Sequence, residues 1–321
     1  MSKVISLLVS IFFIFLCIKD IPIKILIEKI SFRADLILIA ILFLYLINFL
    51  KAYRFKFLLS NYKKKKLSFY IKLPLIRQFV NSTLFGNLGE FILPFFFRKY
   101  LKTTYTEGFS IMVIERFLDL FFITLIFGFF LFFNNFKIFS NIIIIYFVGF
   151  FIFLFLTIFI MTTKNRILIK IKMIKHFQIG YQKIIKSNNH ILKIFFLTFM
   201  IWIGVIIIDL FIFNAFDVTR KISTLPNIVF IAGVIIITQL IPSAPSSIGV
   251  FNYFVVEAIT LFYKIQNLEF NLQIKAELTS VSMIILIIYI LPDITWGTYL
   301  FFKETQFKLN KIKDYFIKYT K

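Results

Sequence analysis

Long apolar runs recur along this chain, and they constrain its fold more than any other feature. Of the 321 residues, 60% are hydrophobic and only 16% are charged, and the mean hydropathy is +0.92. Soluble domains contain about 45–50% apolar and about 25% charged residues, and so few polar side chains could not cover a globular surface. The sequence therefore predicts an all-α, multi-pass membrane protein and excludes a water-soluble enzyme.

The charged residues are mostly basic: 37 Lys and Arg against 15 Asp and Glu give a formal net charge of +22. In a soluble protein this excess would indicate nucleic-acid binding, but here it lies in a few loops between apolar runs, as the positive-inside rule predicts. We therefore expect no nucleic-acid partner. The single cysteine, Cys17, excludes an intrachain disulfide, and His176 and His190 have no second ligand at a useful spacing, so we expect no metal and no other cofactor.

Six apolar segments have the length and hydropathy expected of membrane-spanning helices. They cover about residues 4–18, 36–59, 109–133, 142–161, 194–213 and 278–302. The first segment resembles a signal peptide, because Lys3 precedes an apolar core, but no small-x-small cleavage site follows it. We predict that it is kept as the first, rather short, helix.

The basic residues predict the orientation of these helices. Lys51, Arg54 and Lys56, near the end of the second segment, lead into the run Lys63–Lys66, and the 164–193 loop has eight basic residues and no acidic one. Placing the run Lys63–Lys66, the 164–193 loop and the basic C-terminal tail in the cytoplasm gives a consistent alternation. It predicts a protein of the cell (inner) membrane with cytoplasmic N and C termini.

Two further apolar stretches, Ser68–Phe97 and Pro226–Tyr263, are each interrupted near the centre by Gly or Pro. The interruptions read Phe85-Gly86-Asn87-Leu88-Gly89-Glu90 and Ile241-Pro242-Ser243-Ala244-Pro245-Ser246-Ser247-Ile248-Gly249. The flanking charges place both ends of the first stretch in the cytoplasm and both ends of the second outside. Each stretch is therefore predicted to be a re-entrant helical hairpin. The alternative is that each is a pair of short tilted spans, which would give ten helices.

The predicted order is helix, helix, hairpin, helix, followed by the same order upside down. A single integral membrane domain, residues 1–321, then consists of a first half at 1–135, an inverted second half at 136–303 and a basic cytoplasmic tail at 304–321. Interrupted segments at corresponding positions of two inverted halves indicate a transport site near the middle of the bilayer.

Ionisable residues inside the apolar segments are candidates for this site, because each costs about 2.5–3.5 kcal/mol to insert and needs a partner or a function. Glu90 lies at the first interruption, and Glu115, Arg116 and Asp119 lie within the third segment. Arg116 and Asp119 are three residues apart, so they share a helix face and can neutralise each other. A structural brace and a role in a binding site are both consistent with this pattern.

The interruptions offer a second way to bind an anion. The returning arm of each hairpin begins near the midplane, so its N-terminus points N–H groups and partial positive charge into the membrane, where a phosphate could bind. Ser246 and Ser247 are predicted N-cap residues, and Gly86, Gly89 and Gly249 would allow close backbone approach. The alternative is that the Gly and Pro residues only allow a tight turn.

These motifs, in this order, resemble the flippase-like integral membrane domain of lysylphosphatidylglycerol synthases and their stand-alone relatives. That family has an Asn-rich approach to a Pro-Gly-Arg-x-Gly-Glu turn, then Glu-Arg-x-x-Asp, and later Pro-x-x-Pro-Gly-Gly-x-Gly. The corresponding residues here are Asn81, Gly86, Gly89, Glu90, Glu115, Arg116, Asp119, Pro242, Pro245, Ser246, Ser247 and Gly249. Phe85 and Asn87 replace the family's Pro and Arg, and Ser246 and Ser247 replace two glycines.

The resemblance implies a flippase-like protein that binds or translocates an anionic or modified lipid, such as a phospholipid or a polyprenyl-linked glycan, and that is not itself an enzyme. A membrane lipid is then the expected substrate, and a separate synthase or glycosyltransferase is a possible partner. Two alternatives stay open. One is a membrane-embedded transferase acting on lipid-linked substrates, with Glu90 or the 115–119 carboxylates as acid or base. The other is a non-catalytic membrane subunit of a lipid or glycan synthase.

Overall fold

The structure, a computed structural model, describes residues 2–19, 21, 31–84, 88–133, 188–238, 241 and 243–305, together with isolated positions at 148, 149, 151, 152, 155, 178 and 182. Within these residues every regular secondary-structure element is a helix, and the only β-type pairing is an isolated bridge between Phe32 and Phe216. The prediction of an all-α fold is confirmed.

Five helices form the first half of the described chain. They are α1 (Ser2–Ile18), α2 (Ala34–Leu58), α3 (Leu67–Thr83), α4 (Gly89–Leu101) and α5 (Tyr105–Phe133). The second half contains α6 (Asn188–Ala215), α7 (Asp217–Arg220), α8 (Leu225–Thr238), a 3₁₀ turn (Pro245–Ser247), α9 (Val250–Ile265), α10 (Leu272–Pro292), a π-helical turn (Asp293–Gly297) and α11 (Thr298–Thr305).

Four helical stretches in the described residues are long and apolar enough to cross a membrane: Ala34–Leu58, His190–Ala215, Pro245–Ile265 and Leu272–Glu304. The first, second and fourth of these correspond to the predicted spans at 36–59, 194–213 and 278–302. The predicted spans at 4–18 and 109–133 are helices α1 and α5. The predicted span at 142–161 lies almost wholly outside the described residues.

The outer surface of α2 fits a lipid environment. Leu38, Leu42 and Leu46 recur every four residues and are 62%, 68% and 50% exposed, so they form one apolar stripe along the helix. In water such a stripe would be an aggregation hazard, whereas in a bilayer it faces acyl chains at no cost. Several charged residues of the described chain are buried instead, as in the cluster described below.

The first predicted interruption is present: α3 ends at Thr83, α4 begins at Gly89, and the two helices pack against each other. They have 17 and 13 residues, or ~26 and ~20 Å at 1.5 Å per residue, each shorter than a hydrocarbon core of about 30 Å. Gly86 lies outside the described residues.

The second interruption separates α8 from α9, which have 14 and 16 residues and also pack together. The apolar stretch Pro245–Ile265 therefore begins in the interruption, and its regular helix starts only at Val250. Ser246 and Ser247 have positive φ angles of 58° and 56°, in the left-handed region that favours glycine. Pro242 lies outside the described residues.

The prediction that Ser246 and Ser247 cap α9 is wrong. The N-cap residue is Gly249, with φ of 84°, and its N–H donates to Oδ1 of Asn252 at 3.1 Å. An amide side chain in the first turn therefore reaches back to the helix start, which leaves the two serines in the turn before it.

Helix contacts follow a similar order in the first and second parts of the described chain. In the first half α2 packs on α3, α3 on α4 and α4 on α5; in the second, α6 packs on α8, α8 on α9 and α9 on α10. Between the halves, α5 contacts α8, and α3 contacts the π-helical turn after α10. Helices α2 and α6 make the most extensive contact in the described part of the chain.

The left-handed serines lead to a stability prediction. A left-handed non-Gly residue costs roughly 1–2 kcal/mol, whereas glycine loses about 0.5–1 kcal/mol more backbone entropy on folding. We therefore expect Ser247→Gly to raise the free energy of unfolding by about 0.5 kcal/mol, measured by denaturant titration in detergent. The control is Ser247→Ala, which keeps the strain; an equal gain from this variant would contradict the explanation.

Candidate functional site

A buried ionic cluster lies where α2, α3, α4 and α5 meet. Helix α5 contributes Glu115, Arg116 and Asp119, which occupy neighbouring positions on consecutive turns. Glu115 is 0% exposed and Asp119 is also buried, whereas the side chain of Arg116 is 43% exposed. Arg116 and Asp119 form the predicted i,i+3 ion pair, with 3.7 Å between Arg116 Nη1 and Asp119 Oδ2.

Arg54, in the last turns of α2, occupies the centre of this cluster. It is 1% exposed and donates to both Glu115 and Asp119. A further, longer contact runs to the hydroxyl of Thr198 on α6, at 3.4 Å. Arg54 belongs to the basic residues near the end of the second predicted span, and its charge is neutralised by buried carboxylates.

Arg77 on α3 is a second buried cation, and sequence reasoning missed it. Its Nη1 donates to Glu115 Oε2 at 2.5 Å, its Nε lies 4.0 Å from Glu90 Oε1, and its guanidinium lies 5.5 Å from the ring centroid of Phe55. The available signal was its position: an arginine inside an apolar stretch needs a carboxylate partner, and Glu115 can be that partner.

Glu90, in the first turn of α4, closes the cluster on its exposed side. Its Oε1 accepts a hydrogen bond from Arg116, and its Oε2 has no hydrogen-bond partner among the described residues. The cluster then contains three arginines and three carboxylates, so its formal charges cancel. This charge balance offsets the free-energy cost of desolvating the inner residues. The Arg116–Glu90 pair is the part of the cluster that an external group can reach.

The start of α4 does not offer a free N–H group at Gly89, contrary to the prediction for the hairpin N-termini. The N–H of Gly89 donates to Oδ1 of Asn81 at 2.7 Å. A Cβ at position 89 would overlap the carbonyl oxygen of Arg77 and lie 2.5 Å from Asn81 Oδ1. Asn81 and Gly89 therefore hold α3 and α4 together at the break.

The second break is satisfied internally in a similar way. The N–H of Ala244 donates to Ser10 Oγ on α1 at 2.7 Å, and Asn252, which accepts from Gly249, donates to Ser282 Oγ on α10 at 3.0 Å. A Cβ on Gly249 would overlap the carbonyl oxygen of Ser10. The turn is thus fastened to both α1 and α10.

The two breaks contact each other. Ser246 Oγ donates to the carbonyl oxygen of Ser82 at 3.1 Å, and the turn Pro245–Ser247 packs on α3. Of the predicted site residues, Asn81, Gly89, Glu90, Glu115, Arg116 and Asp119 therefore lie around α3–α5, and Pro245, Ser246, Ser247 and Gly249 lie in the turn that contacts the end of α3.

Two cavities lie away from the ionic cluster. One, of about 430 Å³, is lined by Arg33, Arg220, Asn214 and apolar residues of α2 and α6; the other, of about 420 Å³, lies between α2 and α6 near Phe57 and Lys193. Neither is lined by a residue of the cluster, whose inner residues Arg54, Arg77 and Glu115 are almost fully buried.

Comparison with known proteins gives one family match. The family model described as "Lysylphosphatidylglycerol synthase TM region" matches residues 3–266, which include both breaks and the whole ionic cluster. Helix α10, the π-helical turn and α11 follow the matched region. No curated protein and no solved structure matches the chain significantly.

Proposed function

Because the chain belongs to the lysylphosphatidylglycerol synthase transmembrane-region family, we propose that it binds an anionic or modified lipid by its headgroup and moves it between the leaflets. It acts on the lipid without changing its covalent structure, so a separate synthase or glycosyltransferase makes or consumes that lipid. The membrane is the cell membrane, with both chain termini in the cytoplasm.

The observation that carries this proposal is the exposed edge of a charge-balanced cluster. Arg116 is the arginine of the cluster with a substantially exposed side chain, and its strongest partner is Glu90, whose second oxygen has no partner in the described chain. A lipid phosphate can displace Glu90 from Arg116, because arginine binds phosphate and carboxylate with the same geometry. Arg54 and Arg77 stay paired inside and hold Arg116 in place through Glu115 and α5.

The paired breaks support a route for the headgroup. Half-length helix pairs of opposite orientation, meeting at Ser82 and Ser246, would form a polar cleft near the midplane while the acyl chains remain in the bilayer. The similar order of helix contacts in residues 1–135 and 136–303 supports an inverted repeat that opens the cleft first to one side and then to the other. We expect the hairpins to move, because few hydrogen bonds at each break have to be broken.

The test is a leaflet-exchange assay in reconstituted vesicles with fluorescent anionic lipids. Loss of one charge-assisted contact costs about 1.5–3 kcal/mol, so we expect Arg116→Ala to slow exchange about tenfold to hundredfold. Arg116→Lys should retain part of the rate, since it keeps the charge but loses the bidentate geometry.

The matched control is Arg33→Ala, which removes an exposed arginine paired with Asp35 outside the cluster. It should exchange lipid at the wild-type rate. If Arg116→Ala folds normally and matches Arg33→Ala, the headgroup site is not at Arg116 and the proposal fails.

A further inference from the structure

The π-helical turn after α10 contains a buried carboxylate that the lipid site does not use. Asp293 is 5% exposed, and its Oδ2 accepts a hydrogen bond from Ser82 Oγ at 3.0 Å. Its Oδ1 has no hydrogen-bond partner within the part of the chain that the structure describes. Buried polar atoms are nearly always paired, so an open carboxylate oxygen inside a membrane protein indicates a ligand or a proton.

The charges around Asp293 only partly compensate it. Lys51 on α2 and Arg77 on α3 act on it electrostatically, but no described ion pair includes it. Arg77 is already bonded to Glu115. An ionised Asp293 is therefore stabilised at a distance, whereas a protonated Asp293 needs no countercharge, and the two forms can be close in free energy.

The backbone at Asp293 is of a kind found at functional sites. π-helical turns are rare, and they are frequently located at such sites. This turn packs tightly on α3: a Cβ on Gly297 would lie 2.7 Å from Phe79 Cβ and 2.8 Å from the carbonyl oxygen of Leu75. A shift of the turn would therefore be transmitted directly to α3, which ends at the first break.

Ser82 connects this carboxylate to both breaks. Its hydroxyl donates to Asp293, and its carbonyl oxygen accepts from Ser246 in the second break. It lies one residue before the end of α3 at Thr83. The charge on Asp293 thus acts on the residue where the two breaks meet.

We propose that Asp293 is a proton-binding site that couples a proton gradient to the movement of lipid through the cleft. The coupling rests on the proposed lipid transport, whereas proton binding at Asp293 does not depend on it. The carboxylate takes a proton from water on one side of the membrane while the cleft is open there, and it releases that proton to water on the other side after the breaks have moved. No other bond forms or breaks, and the pH difference supplies the free energy.

A proton fits this site better than a metal ion. The described ligands are one carboxylate and one hydroxyl, whereas Ca²⁺ needs six to eight oxygen ligands and Mg²⁺ needs six in an octahedron. The two cavities described above are not lined by Asp293. A proton needs only the open oxygen.

The first test measures protonation without any lipid. Infrared difference spectra of the reconstituted protein between acidic and alkaline buffer should contain a carboxylic acid C=O band that Asp293→Asn removes. Asp209→Asn is the matched control, because Asp209 is also buried, accepts from one hydroxyl, that of Tyr289 on α10, and has one oxygen without a partner in the described chain. Unlike Asp293 it is not bonded to Ser82, and its replacement should leave that band in place. Identical spectra for wild type and Asp293→Asn would overturn the proton site.

The second test measures coupling in the leaflet-exchange assay with an imposed pH difference. One proton per lipid would drive up to about tenfold asymmetry between leaflets per pH unit. We expect wild type and Asp209→Asn to accumulate the lipid in one leaflet, and Asp293→Asn to lose this asymmetry. If lipid exchange by wild type does not depend on the pH difference, the coupling alone is overturned. If wild type moves no lipid under any condition, the proposed function is overturned.

Discussion

Glu115→Ala is expected to destabilise the protein by about 3–5 kcal/mol, the usual cost of removing one partner from a buried ionic network. Glu115 is 0% exposed and accepts from both Arg54 and Arg77. Without it the cluster keeps three arginines but only two carboxylates, so one positive charge is left buried without a counterion. The free energy of unfolding can be measured in detergent with a thiol-reactive dye, because the only cysteine, Cys17, is buried in the folded chain.

The matched control for this variant is Glu269→Ala, the same chemical change at an exposed position between α9 and α10. It should alter stability by no more than about 0.5 kcal/mol. Glu115→Gln keeps an acceptor oxygen but loses the charge, so its free energy of unfolding should lie between those of the two alanine variants. Equal unfolding of Glu115→Ala and Glu269→Ala would show that the cluster contributes little to stability.

Gly249→Ala is expected to have the second largest effect, roughly 2–5 kcal/mol. The φ of 84° at this residue is unfavourable for any residue with a Cβ and costs about 1–2 kcal/mol. The new methyl group would also overlap the Ser10 carbonyl oxygen and lie 3.0 Å from Ile14 Cγ1, and such overpacking costs about 1–3 kcal/mol. Helix α1 must then move away from the second break.

Because Cys17 lies on α1, the same dye reports this displacement in the folded protein. In Gly249→Ala the Cys17 thiol should react with the dye faster than in wild type under native conditions, and the free energy of unfolding should be lower. Gly149→Ala is the control, since a Cβ there meets nothing within 4 Å. If Gly249→Ala labels and unfolds like Gly149→Ala, the contact between α1 and the second break is not the one described.

Apolar length predicts α2, α6 and α10, and Gly and Pro within apolar stretches predict both breaks. Four of the six residues of the ionic cluster are also predictable, and one of them, Glu90, lies at the first interruption. Glu115, Arg116 and Asp119 stand out because they interrupt an otherwise apolar helix. Arg54 does not, because a basic residue near a helix end looks the same in the sequence whether it faces the cytoplasm or a buried carboxylate three helices later in the chain.

The details of the breaks depend on tertiary contacts that no local pattern encodes. Ser246 and Ser247 have the composition of N-cap residues, but the register of the turn is set by Ser10 on α1 and Ser82 on α3, which bond to Ala244 and Ser246. Asp293 likewise looks like any intramembrane carboxylate in the sequence. Its importance comes from Ser82, a partner 211 residues away.

The broad contact between α2 and α6 has a mechanical consequence. Gly204 allows α6 to approach so closely that a Cβ there would lie 3.2 Å from Ile47 on α2, within the most extensive helix contact of the described chain. The contacts of α3 with α2 and of α8 with α6 are smaller. If the cleft opens alternately, we expect this contact to stay fixed and the helices that pack on α2 and on α6 to pivot about it.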